Sequence, residues 1–238
     1  KATSQRMSYE PLLAPLDGLE KTWVELRARG GRGANITVPF KQEALALCDQ
    51  LSERAQQAGA VNTLSVMADG QVRGDNTDGA GLVRDIAENA GWSLAGQHRR
   101  RLSRSSQHLC IANRTLAKAD RLALAFAGFG SMSTVANSEL ERANDSVSYD
   151  VIINATSASL QGKTIALHDS WYRASSAVYD MMYGFDTVFL AWAREQNISR
   201  RRDGLGMLVE QAAEAFYLWR GVRPETQSLL ASLRAELG

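Results

Sequence analysis

The run Gly33-Ala-Asn-Ile-Thr-Val-Pro-Phe-Lys41 delivers a lysine to the end of a strand-like segment. Side chains on a strand alternate faces. Ala34, Ile36, Val38 and Phe40 therefore form an apolar set, while Asn35, Thr37 and Lys41 share the other parity. Pro39 has no amide proton for a ladder and ends the strand, which leaves Lys41 just beyond it, where a helix is expected to begin. A lysine held at the mouth of a sheet is a candidate acid/base group. Two further stretches carry polar side chains: Ala60-Val61-Asn62-Thr63-Leu64, and Gly74-Asp75-Asn76-Thr77-Asp78-Gly79. In the second, Thr77 or Asp78 suits a helix N-cap, accepting the first free amide protons of the amphipathic stretch behind it. The plainer reading of the same residues is an edge strand, a solvated lysine and a capped helix.

The elements around these residues follow from periodicity. A helix opens at Asp17-Gly18 with Leu19, Trp23 and Leu26 on one face, and Gly30 and Gly31 close it. Strand 34–38 precedes a helix over 41–51 and a short one over 52–57. Segments 61–67 and 71–74 form a hairpin across Asp69-Gly70. A helix over 80–89 turns Leu82, Val83 and Ile86 inward, with Gly91 as its stop. Beyond it strands (109–112, 132–136, 150–154, 177–181) alternate with helices (115–127, 187–195), and Ser138 with Glu141 suits a capping box. Such alternation predicts a parallel sheet with crossover helices. Helices over 206–219 and 225–237 close the chain.

Composition excludes some classes. The chain has 238 residues, 45% hydrophobic and 22% charged, which suffices for a sizeable core in one or two domains. A net charge of +1 offers no global attraction for nucleic acid or a membrane surface. Cys48 and Cys110 lack metal-type spacing and read as reduced core residues of a cytoplasmic protein. His98, His108 and His168 are scattered, so no histidine-based metal site is expected. No apolar run reaches membrane-spanning length and no signal peptide is visible.

Taken in order, ANITVPFK, GAVNTL and GDNTDG resemble the shikimate dehydrogenase family, and INATS at 153–157, YDMMYG at 179–184 and DGLGMLVEQAA at 203–213 fit the same family. The resemblance runs from about residue 10 to the C-terminus. It implies two α/β domains with a cleft between them: a substrate-binding domain of residues 1–78 plus 206–238, and a Rossmann-like NADP-binding domain of residues 79–205. It implies reversible NADP-dependent reduction of 3-dehydroshikimate to shikimate, a step toward chorismate and the aromatic amino acids. The family's Lys–Asp pair falls on Lys41 and Asp78, with Lys41 the main proton-transfer residue and Asp78 orienting it and binding the same hydroxyl. Substrate contacts fall on Thr37, Asn62, Asp78, Tyr183 and Gln211. Asn62 also suits a turn, Tyr183 a half-buried core aromatic and Gln211 a solvated helix face.

On this reading segment 109–112 is the second strand of a dinucleotide fold. An NAD site usually ends that strand with an acidic residue on the ribose 2′-hydroxyl. This chain has Asn113-Arg114-Thr115 with Lys118 one turn on. Cations suit a 2′-phosphate, and arginine grips it as a fork; Lys118 keeps the charge without the fork. Gly206 and Met207 match the segment beside the nicotinamide. A plain helix start and helix entry are the alternatives for these two groups.

The chain departs from the family twice. The glycine-rich phosphate loop should lie near 97–108, where the sequence is Gln-His-Arg-Arg-Arg-Leu-Ser-Arg-Ser-Ser-Gln-His. Without glycine a backbone cannot easily approach a pyrophosphate; either residues are missing from this segment or the cofactor site is degenerate. The family's paired serines, which bind the substrate carboxylate, would precede Lys1. A chain truly starting at Lys1 is expected to be inactive and poorly stable. Two neighbouring functions stay open: a quinate/shikimate dehydrogenase with relaxed cofactor use, and a non-catalytic shikimate-binding relative. Both a monomer and a homodimer are compatible with the sequence.

Overall fold

The protein is described here by a computed structural model covering residues 3–92, 108–142, 148–156, 158, 162 and 165–237. The chain divides into two units, Lys1–Asp85 with Gly206–Arg234, and Ile86–Leu205 with Ala235–Gly238.

The first unit is built on a four-stranded mixed sheet. β1 (Gly33–Asn35), β2 (Gln50–Leu51), β3 (Thr63–Val66) and β4 (Val72–Asp75) lie in the order β1-β3-β4-β2. β3 and β4 are the expected hairpin, paired antiparallel from Thr63↔Asp75 to Val66↔Val72. β1 runs antiparallel to β3 with Asn35 opposite Thr63, and β2 runs parallel to β4. These registers put the ends of β1, β3 and β4 side by side, where the polar segments leave the sheet. Helix α1 (Leu19–Ala28) buries Leu19 and Trp23, and helix α2 (Glu53–Ala58) buries Ala55. They pack with Val61, Leu64 and Val72 into one apolar core, against which Ala34, Ile36 and Phe40 lie half-buried. α1 stops as expected: Gly30 takes φ +88°, a conformation that costs glycine little, and the amides of Gly30 and Gly31 bond back to Arg27 and Leu26. Helix α6 (Leu205–Arg220) returns to this unit.

Several local expectations need correction. The first strand spans Gly33–Asn35 rather than 34–38, because a turn occupies 38–42 around the cis Val38–Pro39 peptide bond, and Val38 is exposed instead of apolar core. The helix expected over 41–51 is only a 3-10 turn, Glu43–Leu47. Cys48 is extended, Asp49 accepts from the Val72 amide at 2.7 Å, and Gln50–Leu51 then join the sheet. Helix α3 (Asp78–Arg84) passes into a π turn, Asp85–Asn89. That turn rotates the face, so Ile86 is buried while Val83 points outward.

The second unit carries two parallel sheets among the described residues. β5 (His108–Asn113) pairs with β6 (Ser131–Ala136) through helix α4 (Leu116–Ala125). β7 (Val151–Asn154), β8 (Ala177–Asp180) and β9 (Arg200–Arg202) form the other, in that order. Helix α5 (Val188–Glu195) sets Phe189 and Ala193 on Val178 and Ile198. Parallel pairing and crossover helices agree with the alternation in the sequence. β9 was not expected, since three consecutive arginines carry no strand signal; its pairing with β8 holds it. Residues 137–139 form a 3-10 turn without a side-chain cap, so Ser138 and Glu141 make no capping box. The last helix, α7, spans Gln227–Leu237.

Candidate active site

At the end of the first unit's sheet, Lys41 Nζ lies 2.7 Å from Asp78 Oδ2, with both side chains about three-tenths exposed. The other carboxylate oxygen, Oδ1, accepts from Asn62 Nδ2 at 2.8 Å. Asp78 opens α3 and Thr77 stands at its N-cap position, yet neither side chain caps the helix. The cap reading of these residues is therefore corrected. The Asp78 carboxylate is given to Lys41 and Asn62, and the buried Thr77 hydroxyl faces Asn62 at 2.9 Å from Nδ2 and 3.1 Å from Oδ1. A carboxylate at a helix N-terminus also sits at the favourable end of the helix dipole.

Asn62 is almost fully buried and is no solvated turn residue. Its Oδ1 accepts from the Thr77 amide at 2.9 Å and from the Thr63 hydroxyl at 2.8 Å. Gln211, on α6, brings Oε1 to 3.4 Å from both Asn62 Nδ2 and Thr77 Oγ1, while its Nε2 donates to Leu208 O. Gly81 permits this approach. A Cβ there would lie 2.7 Å from the Gln211 amide nitrogen and 2.8 Å from Met207 O. Gly206 is likewise held against α3, where a Cβ would meet the Asp85 carboxylate. Thr37 lies exposed on the loop ahead of Lys41, its carbonyl accepting from Phe40 N at 3.0 Å.

Charge behind the site fixes the loop that carries Asp78. Asp75 Oδ1 accepts from Arg54 at 2.5 Å, from Ser52 at 2.8 Å and from the Asn76 amide at 2.7 Å. Arg54 also reaches Glu214 on α6 at 2.9 Å, and Glu214 pairs with Arg223. Burial pushes the Asp75 carboxyl up, but the Arg54 and Ser52 hydrogen bonds, the Arg54 charge and the Asn76 amide outweigh it and hold it below its ordinary value. Arg84 meets Glu210 at 3.0 Å, and Thr226 donates to Glu210 at 2.7 Å. Cys48 is no nucleophile here: burial, then the Asp49 charge, pushes its thiol up to about 11.

The structure thus brings together Lys41, Asp78, Asn62 and Gln211, with Gly206 and Met207 at the start of the helix that carries Gln211. Apart from Thr37 on its loop, the remaining candidates belong to the second unit. Tyr183 is exposed and follows β8. At the end of β5, Asn113 Oδ1 accepts from the Thr115 amide at 2.9 Å, forming a turn that leaves Arg114, Thr115 and Lys118 exposed. Asp120, the nearby acid on α4, is engaged by the Thr134 hydroxyl at 2.6 Å. An open pair of cations with no acid at the strand end fits a 2′-phosphate. The glycine-free segment 97–108 lies outside the described residues except for His108, and Ser157 of the INATS motif does as well. No cluster of metal-binding side chains occurs among the described residues, and none of their helices is long and apolar enough to cross a membrane.

Sequence reasoning did not assign roles to Thr63, Thr77 and Asn35 in this network. The signal available was the repeated Asn-Thr pair, 62–63 and 76–77, and the parity Asn35 shares with Lys41.

Residues 1–64 match the shikimate dehydrogenase substrate binding domain, and residues 204–234 match the shikimate 5′-dehydrogenase C-terminal domain. The chain is 48% identical over 253 residues to the shikimate dehydrogenase (NADP(+)) of Nitrosospira multiformis, covering all of this chain and 90% of the relative. The crystal structure of an Ael1 enzyme from Pseudomonas putida superposes with a TM-score of 0.82 at 37% identity, over 98% of this chain and 89% of that one. Shikimate 5-dehydrogenase from Thermus thermophilus, solved with NADP(H) and shikimate, superposes with a TM-score of 0.73 at 26% identity, over 93% of this chain and 85% of that one.

Proposed function

This chain belongs to the shikimate dehydrogenase family, and on that premise we propose that Lys41 moves the proton in its reaction while Asp78 orients the lysine and shares the substrate hydroxyl. The protein is an NADP-dependent oxidoreductase with shikimate dehydrogenase activity in the shikimate pathway, reducing 3-dehydroshikimate to shikimate reversibly. Its fold is α/β, with an N-terminal substrate domain and an NADP domain.

The observation that carries the proposal is the 2.7 Å pair between Lys41 and Asp78, with the second carboxylate oxygen taken by Asn62. When bound, NADP supplies the hydride donor and acceptor. What the chain must supply is a place for the hydroxyl proton. In oxidation Lys41 Nζ takes that proton, and in reduction it returns it. Asp78 keeps Nζ aimed and accepts from the same hydroxyl. Asn62 and Gln211 present amide groups for the ring hydroxyls, and Thr37 and Tyr183 offer hydroxyls of their own. Arg114, backed by Lys118, would hold the 2′-phosphate, with Asn113 and Thr115 shaping the turn that presents it. Gly206 and Met207 would flank the nicotinamide.

On the same reading residues 1–78 with 206–238 hold the substrate and 79–205 the cofactor. The protein works in the cytoplasm as a monomer or homodimer; both cysteines being free supports that compartment.

The test is oxidation of shikimate with NADP+ by the purified chain, run beside quinate and beside NAD+. Turnover that requires shikimate, prefers NADP+ and vanishes in Lys41→Ala is the expected result. Turnover that survives Lys41→Ala removes the lysine from the mechanism, and binding of shikimate without turnover moves the chain to the ligand-binding alternative.

A further inference from the structure

We propose that Thr63, a buried residue of β3, is a positioning residue that fixes which way the Asn62 amide faces and through it the Lys41–Asp78 pair. This deepens the reading of function just given and rests on it.

An asparagine amide can sit in two orientations that exchange its oxygen and nitrogen, and only its neighbours decide between them. Thr77 Oγ1 does not decide. It lies 2.9 Å from Asn62 Nδ2 and 3.1 Å from Oδ1, and a hydroxyl can accept from the one or donate to the other. Two groups do discriminate. The Thr77 amide, 2.9 Å from Oδ1, can only donate. The Thr63 hydroxyl, 2.8 Å from Oδ1, has that oxygen as its nearest acceptor, the Thr77 hydroxyl lying farther off at 3.5 Å.

Behind Thr63 is Asn35, its partner across β1 and β3. Asn35 Nδ2 lies 3.4 Å from the backbone carbonyl of Asn62 and 3.3 Å from Thr63 Oγ1. A carbonyl only accepts, so the Asn35 nitrogen must face it, and the same NH2 group then supplies Thr63 Oγ1 with a proton. Asn35 Oδ1 meanwhile accepts from Tyr9 at 3.0 Å. Thr63 Oγ1 has received one hydrogen bond and turns its own hydrogen to Asn62 Oδ1. Asn62 Nδ2 is thereby aimed at Asp78 Oδ1, which leaves Oδ2 for Lys41. Every bond in the chain Tyr9, Asn35, Thr63, Asn62, Asp78 runs from donor to acceptor in one direction and ends on the carboxylate.

The reversed amide would put an oxygen against Asp78 Oδ1. Two acceptors repel, the carboxylate would swing, and Lys41 Nζ would follow it. Misplacement by about 1 Å is worth up to roughly 100-fold in rate. No hydrogen bond joins Thr63 directly to Asp78 or Lys41; its short bond is to Asn62 at 2.8 Å, against 3.5 Å to the Thr77 hydroxyl.

Thr63→Val keeps the shape and removes the hydroxyl; Thr63→Ser keeps the hydroxyl. The expected result is a kcat/KM for shikimate about 10-fold lower in Thr63→Val and restored to within about 3-fold in Thr63→Ser. In an Asn62→Ala background Thr63→Val should cost nothing further, since interacting residues are non-additive. Full activity in Thr63→Val, or losses that simply add, would overturn the assignment. Asn35→Ala breaks the same chain one link earlier at a half-buried site, and it gives the same cycle should Thr63→Val fail to fold. A readout independent of turnover is the Asn62 side-chain NH2 resonance pair by NMR, identified by its loss in Asn62→Ala. It should move toward the free-amide position in Thr63→Val and hold in Thr63→Ser; an unmoved pair in Thr63→Val overturns the proposal. If the unaltered chain does not turn over shikimate, the reading of function fails, and the amide resonance then decides the role of Thr63 by itself.

Discussion

The two units treat asparagine in opposite ways. In the second unit Asn113 and Asn154 each end a parallel strand and accept from the amide two residues on, at 2.9 and 3.0 Å. These are local turns, and Arg114 stands out into solvent beside the first of them. In the first unit Asn62 accepts from its neighbour Thr63 and from Thr77 on a loop distant in sequence, and donates to Asp78 of that same loop. The contrast follows the chemistry asked of each place. A cation on a long side chain can find a phosphate from many directions, because Coulomb attraction falls slowly with distance. A proton moves only over a short, aligned hydrogen bond. On the proposed reading, the residues around Asn62 are tied down where a proton would move, while Arg114 and Lys118 stand exposed where a phosphate would bind.

The strongest way to break this contrast is at Lys41. Lys41→Ala should lower kcat for shikimate oxidation by about 10²- to 10⁴-fold, the usual worth of a general acid or base, and should leave NADP+ binding unchanged. A comparable fall in NADP+ affinity would mean that the lysine serves both units and that the division of labour is wrong. Steady-state rates and a binding titration decide it.

Next in size is the charge network beneath the site. Arg54→Met leaves Asp75 without its cation, while Glu214 keeps Arg223. It should cost about 2–3 kcal/mol near neutral pH, less than a fully buried pair because Arg54 is a third exposed. The pH dependence has a definite sign. Asp75 is held below its unfolded value of about 3.9, so its contribution is present above that value and is lost as pH falls through the folded one. The gap between Arg54→Met and the unaltered protein should narrow in urea unfolding as pH falls below about 3.9. A gap that stays constant with pH would mean Arg54 acts through packing alone.

Legibility in the sequence differed between the units for the same reasons. The β3–β4 hairpin, the stop of α1 at Gly30 and the parallel pairings were readable because turn chemistry and apolar runs are local signals. The helix expected over 41–51 was not, because Asp49 and Gln50–Leu51 are recruited by β4, a tertiary event with no trace in periodicity. β9 was missed because an edge of three arginines contradicts strand composition. That Lys41 and Asp78 would meet was legible through motif order, while the hydroxyls around Asn62 were not, since Thr63 and Thr77 read equally well as strand and cap. The Thr77 cap was wrong for an instructive reason: a buried amide nearby competed for its hydroxyl and won.

On the cofactor side the expected effect is smaller and confined to one cofactor. Arg114→Ala removes a charge-assisted fork, worth about 1.5–3 kcal/mol, or roughly 10- to 100-fold. The KM for NADP+ should rise by that factor while that for NAD+ stays put, since NAD+ lacks the 2′-phosphate. Equal rises for both would show that Arg114 shapes the strand end rather than reading the phosphate. Lys118→Ala should do less, because a single point charge is easily replaced by solvent and salt.

The smallest expected effect concerns the neutral N-cap of α5 in the second unit. Thr187 Oγ1 accepts from the Leu190 amide at 3.2 Å and caps α5, which carries Phe189 and Ala193 into the core on β8. Thr187→Ala should cost about 1 kcal/mol, the common worth of an N-cap. A hydroxyl does not titrate in this range, so that loss should be the same at neutral and at acid pH, unlike the loss in Arg54→Met. The rate at ambient temperature should not change, because α5 carries none of the residues proposed to act on substrate or cofactor. If the cost of Thr187→Ala instead varied with pH, a titrating group would have to be coupled to the cap. The distinction between Asp75, held through charge, and the α5 cap, held through a neutral hydroxyl, would then have to be given up.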